Sequence, residues 1–342
     1  MSVLVATAVG SEYAGLRRRV QALGLLDRSV HRYGVRVAAT LALFAGVWVG
    51  VVWVGASWWT LWLAVALGVA STQVAFLGHD GGHQQISRHR AVNTASGLLA
   101  GNLLTGVSIG WWVDKHNRHH ANPNKEGHDP DIGEGVLVFT TTHAADRKGV
   151  VARAITRHQA ALFFPLLTLE GLNLHVSGAV HLCRGRVRRL RRTELALLAG
   201  HLVAYVVVLA TVLSPVQALV FIAVHQASFG LYMGCSFAPN HKGMPIIAAH
   251  DKLDYLRRQV LTSRNIRGSW LVDQVLGGLN YQIEHHLFPS MPRANLRQAR
   301  TVVREFCAEH EISYTESGLF QSYRIALRYL YDLGRPLRAA RS

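Results

Sequence analysis

Charge is missing from two long stretches of the chain. Val37 to Gly78 is 42 residues without Lys, Arg, Asp or Glu, and Leu195 to Asn240 is likewise free of them. A membrane-crossing helix needs about 20 consecutive apolar residues, so each stretch can hold two helices and a tight connection. Small residues interrupt both midpoints: Gly55, Ala56 and Ser57 in the first, Ser214 and Pro215 in the second. The pattern predicts two membrane hairpins, with spans at about residues 37–55, 58–77, 195–213 and 216–236. Two weaker stretches, Ala91 to Val113 and Ala160 to Ser177, carry Asn93, Asn102 and Ser108, or Pro165, Glu170 and Asn173. They fit interfacial or re-entrant segments. Residues 12–35 read as a basic amphipathic helix lying on the membrane. In the tail, Leu319, Tyr323, Leu327 and Leu330 keep helical spacing. The expected fold class is all-α integral membrane. It has a basic N-terminal segment at 1–36, a membrane domain at 37–310 and a cytosolic C-terminal helix at 311–342.

Composition sharpens this picture. Only 16% of the 342 residues are charged, against about 25% in a typical soluble domain, and half are apolar, which excludes intrinsic disorder. The formal net charge is +16. Most of that excess flanks the apolar stretches: Arg17, Arg18, Arg19, Arg28, Arg32 and Arg36 precede the first, and Arg184, Arg186, Arg188, Arg189, Arg191 and Arg192 precede the second. The midpoints carry no basic residue. The positive-inside rule then places both termini and the segment 79–193 on the cytosolic side, where arginines meet anionic lipid head groups. Nucleic acid is not expected as a partner, since no recognition motif accompanies the arginines. The N-terminus lacks the basic, apolar and small-residue order of a secretory signal. Three scattered cysteines, Cys183, Cys235 and Cys307, do not form a disulfide framework.

The chain has 19 histidines, and they cluster. His79 and His83 (HDGGH) follow the second span. His116, His119 and His120 (HNRHH) sit in the next cytosolic segment. His241 follows the fourth span, and Gln282, His285 and His286 (QIEHH) lie beyond it. On a helix, residues three and four apart share a face, so each cluster can aim at one centre. Imidazole suits iron, copper and zinc. A structural zinc takes four ligands, whereas eight histidines in four groups fit a two-metal site, and two ferrous ions can activate O2 against an unactivated C–H bond. Asp80, Asp129, Asp131 and Glu284 are placed to orient histidine N–H groups. Gln282 is expected to ligate or to hold a water. His201 and His225, inside spans, are expected to pair with neighbours. A metal transporter is the rival reading, but its ligands would sit near the bilayer midplane rather than at span ends. A soluble diiron carboxylate protein would show paired Glu-x-x-His helices, and none is found in the sequence.

These motifs resemble the membrane fatty acid desaturase family. HxxxH at 79–83, HxxHH at 116–120 and QxxHH at 282–286 match its three histidine boxes in order and spacing. Asp129-Pro130-Asp131, Asn240-His241 and His286-Leu287-Phe288-Pro289 extend the likeness, which covers roughly residues 37–310. Gln282 in the first place of the third box is similar to the front-end subgroup and its bacterial relatives. The resemblance implies four transmembrane helices with a helical cytosolic cap around a diiron centre. Its ligands would be His79, His83, His116, His119, His120, His241, His285 and His286. It implies O2 as co-substrate, an acyl chain as substrate and a cis double bond as product. Hydroxylation, epoxidation or acetylene formation on the same site are the alternative outcomes. The sequence has no HPGG haem motif, so no bound haem or flavin is expected. Electrons are expected from a separate ferredoxin or flavin reductase, in what would be a bacterial cytoplasmic membrane.

Overall fold

The structure is a computed structural model and describes residues 5–185 and 190–339. Arg186, Arg188 and Arg189 of the second basic run lie outside the described residues. Helices α1 (Val5–Ala22) and α2 (Val30–Val54) are separate elements, where the hydropathy pattern predicts one helix over 12–35. Gly24 takes φ +66° between them, a left-handed conformation open to glycine without steric cost. The apolar face of α1 is spent on protein rather than lipid: Leu16 and Val20 are fully buried in a core with Phe306.

The first charge-free stretch forms most of α2 and α3 (Thr60–Gly82), the second most of α9 and α10 below. Between them, α4 (Arg90–Gly97) continues into a π-helical segment, Leu98–Leu104, and the chain then resumes as α5 (Ile109–Ala121). After α6 (Thr141–Ala145) come α7 (Val150–Leu167) and α8 (Glu170–Cys183), bent by 80° at their junction. Then follow α9 (Arg191–Val212) and α10 (Pro215–His241). Among the described residues four helices, α2, α3, α9 and α10, are long and apolar enough to cross a membrane. Trp53, Val49 and Leu202 stand exposed on α2 and α9, as lipid-facing positions do in a membrane protein.

The chain divides into two compact units. One, the span unit, comprises Arg28–Asp114 and Phe164–Cys235; the other, the terminal unit, comprises Met1–Asp27, Lys115–Phe163 and Ser236–Ser342. In the span unit, Val47, Val51, Ala64, Leu67, Leu209 and Phe221 form the core shared by α2, α3, α9 and α10. The break between the π-helical segment and α5 leaves backbone groups in apolar surroundings, where each needs a partner. His201 Nδ1 donates to the Leu103 carbonyl at 2.9 Å and His175 Nδ1 to the Gly106 carbonyl at 2.8 Å. Glu194 Oε2 accepts from Ser108 Oγ at 2.7 Å, Asn102 Nδ2 at 3.0 Å and the Gly110 amide at 3.2 Å. Two of the polar residues that weaken the 91–113 stretch in the sequence, Asn102 and Ser108, mark this break, whereas Asn93 accepts from the Ile86 and Ser87 amides. His225 meets Tyr205 Oη at 2.9 Å and Ser71 Oγ at 3.3 Å, so the intraspan histidines do pair with neighbours.

The terminal unit is built on α11 (Tyr255–Leu261), α12 (Trp270–Val275), α13 (Gln282–Leu287), α14 (Leu296–Glu309), α15 (Leu319–Leu333) and α16 (Arg335–Ala339). Leu256, Val260, Ile283, Leu287, Val303 and Phe306 lie in its core. A short parallel pair, β1 (Asn265–Arg267) with β2 (Glu316–Gly318), was not expected of an all-helical chain. Arg264 is almost fully buried beside β1. Its guanidinium donates to the Pro239 and Lys242 carbonyls at the C-terminal end of α10 and to the Ser322 carbonyl. A cation at that end of a helix also meets the negative pole of its dipole.

Candidate metal centre

Two of the helices run further than the expected spans, and the extra turns carry histidines. α3 extends past residue 77 through Gly82, so His79 lies in its last turn and His83 caps it. α10 extends past 236 to end on His241 itself. The second box occupies the last turns of α5, and the third box is most of α13. Pro289 follows directly on Phe288, the C-cap of α13, and a proline there stops the helix from continuing.

In the terminal unit, His119, His241 and His286 come together. One ring nitrogen of each lies within 4.8 Å of the other two, and all three side chains are buried. Each Nδ1 has its own acceptor: Asp129 Oδ1 for His119 at 2.9 Å, the Thr262 carbonyl for His241 at 3.0 Å, and Gln259 Oε1 for His286 at 2.9 Å. A carbonyl oxygen can only accept, so the proton of His241 sits on Nδ1 and the lone pair on Nε2. His286 follows the same logic. Yet His241 Nε2 and His286 Nε2 stand 3.1 Å apart. The His241 lone pair also accepts from Gln282 Nε2 at 2.9 Å, but His241 Nε2 has no proton to offer the lone pair of His286, and a cation between the two rings would remove their repulsion. This arrangement fits a metal ion, and imidazoles oriented through the far nitrogen are the usual way such ligands are held.

Further histidines of the terminal unit surround this trio. His120 Nε2 lies 3.0 Å from His116 Nε2. The His120 ring stacks on His286 with centroids 4.2 Å apart and meets His285 edge-on at 4.7 Å. Gln282 donates from Nε2 to His241 Nε2 at 2.9 Å, while its Oε1 accepts from Asn240 Nδ2 at 3.1 Å. In the span unit, the His79 and His83 rings meet with centroids 4.7 Å apart. The Trp112 indole lies edge-on to both, at 5.2 and 5.9 Å. A side chain on Gly82 would strike that indole, with a Cβ 2.7 Å from the ring. Burial, reinforced by His79, lowers the pKa of His83 well below its ordinary value, so this imidazole is neutral and its lone pair is free of a proton.

The four expected carboxylates do different work. Asp129 is buried and accepts from the Asn124 amide at 2.7 Å and the Asp131 amide at 2.8 Å besides His119. Asp131 pairs with Lys115 at 2.6 Å and stands 3.5 Å from His119 Nδ1. Burial opposes a charge on His119, but Asp131 and Asp129 outweigh it and raise its pKa. Asp80 is buried 3.4 Å from His79 Nδ1. Glu284 turns to Asn265 Nδ2 at 2.7 Å and Tyr314 Oη at 2.9 Å. Burial pushes its carboxyl up to about 7, against the pull of those two hydrogen bonds. Gln259 and Thr262 had no sequence signal: a lone Gln and a lone Thr around a seven-residue helix look like any others. The contact of Trp112 with the first box, 29 and 33 residues away in the chain, likewise has no local mark in the sequence.

Four long apolar helices and buried histidine groups able to hold metal define a class, the helical membrane metalloproteins. Within that class, the chain belongs to the fatty acid desaturase family, whose sequence profile matches residues 56–318. It is 30% identical over 338 residues to the Delta(6)-fatty-acid desaturase fat-3 of Caenorhabditis elegans, covering 95% of this chain and 75% of that one. It is 28% identical over 337 residues to Delta(8)-fatty-acid desaturase 1 of Arabidopsis thaliana, covering 94% and 74%. It is 26% identical over 334 residues to an acyl-lipid (9-3)-desaturase of Borago officinalis, covering 94% and 74%. The family and these relatives make the chain a desaturase, an oxidoreductase acting on acyl chains in lipid metabolism.

Proposed function

We propose that this enzyme introduces a cis double bond into a fatty acyl chain, using O2, a histidine-ligated diiron centre and electrons from a separate ferredoxin or flavin reductase. The observation that carries the metal assignment is the trio His119, His241 and His286, with three outer nitrogens tied and two inner lone pairs 3.1 Å apart. The full ligand set is His79, His83, His116, His119, His120, His241, His285 and His286. When bound, the iron pair supplies the oxidising power that removes hydrogen from a methylene. The protein's part is to hold eight imidazoles, to exclude bulk water and to fix one methylene pair, so that geometry sets the product. Gln282 is better suited to hold a water than to ligate, because Asn240 already engages its oxygen. Asp129 and Asp131 orient His119, and Asp80 orients His79.

The names of the Delta(6) and Delta(8) relatives support a front-end position, with the new bond counted from the carboxyl end. The arrangement proposed is taken from the sequence: two membrane hairpins, a helical cap around the diiron site, and termini and site on the cytosolic face. The relatives named here are all eukaryotic, so assignment to a bacterial cytoplasmic membrane rests on the sequence reading alone. Expression with a ferredoxin–reductase pair, followed by mass spectrometry of the host's acyl chains, tests the reaction. The expected product is two mass units lighter per new double bond; an oxygenated chain would replace desaturation by hydroxylation or epoxidation.

A further inference from the structure

Gln259 touches two of the proposed ligand segments at once. It lies on α11, fully buried. Its Oε1 is 2.9 Å from His286 Nδ1, and its Nε2 is 2.9 Å from the His120 carbonyl. The second contact fixes the first. A backbone carbonyl accepts and never donates, so the nitrogen end of the amide must face His120. The oxygen end must therefore face His286, and Nδ1 of His286 must carry the proton. That leaves the Nε2 lone pair of His286 pointing at His241 and His119. One amide thus sets both the tautomer and the ring rotation of a third-box histidine. It measures that setting against the end of α5, where His116, His119 and His120 reside.

The same helix contributes twice more. The Thr262 carbonyl, one residue past α11, sets His241 in the same way, and Tyr255 Oη donates to the His286 carbonyl at 2.9 Å. Residues 255, 259 and 262 are spaced to share one face of a helix, and that face looks at the third box and His241. A leucine at 259 would keep the packing volume but supply neither the acceptor nor the donor.

We propose that Gln259 is the positioning residue of the metal centre, coupling the second histidine box to the third by presenting His286 in its metal-binding tautomer. This rests on the diiron reading above. A merely structural role, capping a carbonyl at the end of α5, would cost stability and leave metal binding alone.

The test is Fe(II) binding by the full-length purified protein under chelator-buffered conditions, with Mössbauer spectra of the bound iron. Gln259→Leu should weaken iron binding by about tenfold to a hundredfold, the usual cost of losing a group that orients a metal ligand. It should also change the quadrupole splitting of the iron retained. Gln259→Glu keeps an acceptor for His286 but loses the donor to the His120 carbonyl, so it should hold iron more tightly than Gln259→Leu, with a shifted spectrum because a carboxylate makes the imidazole more basic. Wild-type affinity and spectrum in Gln259→Leu would overturn the proposal, as would equal iron loss in both variants. If Gln259→Leu does not fold, Gln259→Glu decides alone: iron retained with a shifted spectrum supports the role, and iron lost from a folded protein overturns it. A wild-type chain that binds no iron would instead sink the diiron reading, and this inference with it.

Discussion

The two histidine groups are held by different physics. His119, His241 and His286 are each aimed by a hydrogen bond of 2.9–3.0 Å from the outer nitrogen to a carboxylate, a carbonyl or an amide oxygen. His79 and His83 are seated on the last turn of α3 with an indole edge-on to both rings and a carboxylate 3.4 Å away. Rings in van der Waals contact can shift by a few tenths of an ångström, whereas a short hydrogen bond to a buried acceptor fixes a tautomer as well as a direction. The trio is thereby sensitive to the loss of single acceptor atoms, and the His79–His83 pair, which Asp80 also orients, is sensitive besides to changes of volume against Trp112.

Three substitutions probe this contrast, and a fourth, remote from both groups, sets its lower bound. The largest effect belongs to a ligand itself: His286→Ala should abolish turnover in a protein that still inserts, measured by acyl-chain mass spectrometry, and wild-type turnover would remove His286 from the set. Next comes Asp129→Ala, which strands the His119, Asn124 and Asp131 donors. Each buried donor left unsatisfied costs about 1–3 kcal/mol, so a loss of roughly 3 kcal/mol or more is expected in denaturant titration, together with weaker iron binding. Gly82→Ala attacks the packed group. Its Cβ would sit 2.7 Å from Trp112, and overpacking of this kind costs about 1–3 kcal/mol. Turnover should fall as the first box shifts; unchanged turnover would show that the indole does not seat it. The smallest effect is expected from Arg297→Ala. Its ion pair with Asp273 is half-exposed on the arginine side, so a change below about 1 kcal/mol is expected.

Much of this architecture is legible in the chain because long-range folding leaves short-range marks. Charge-free stretches locate four apolar helices, since no charged side chain is tolerated cheaply in the bilayer core. α3 nevertheless overruns its stretch to Gly82, and α10 runs to His241, beyond the expected span end at 236. A histidine on the last turn is polar enough to end a hydropathy window but does not end a helix. Spacing also reveals which histidines share a face, because i, i+3 and i+4 contacts are local. The orienting partners are different. Asp129 could be anticipated because a carboxylate ten residues from His119 in a turn has a known use; Gln259 and Thr262 lie 27 and 21 residues from their partners. Nothing local in their segment distinguishes them. The division at Gly24 and the β1–β2 pair were missed for a related reason, being set by the burial of α1 and by long-range pairing rather than by periodicity.

The proposed centre requires that buried imidazoles with tied outer nitrogens hold iron. Metal analysis of protein purified without added chelator tests it most directly, with Mössbauer spectroscopy to assign the iron. About two irons per chain, in a coupled pair and lost together with turnover on chelation, is the expected result. A metal-free active protein, or one holding stoichiometric zinc instead, would contradict it.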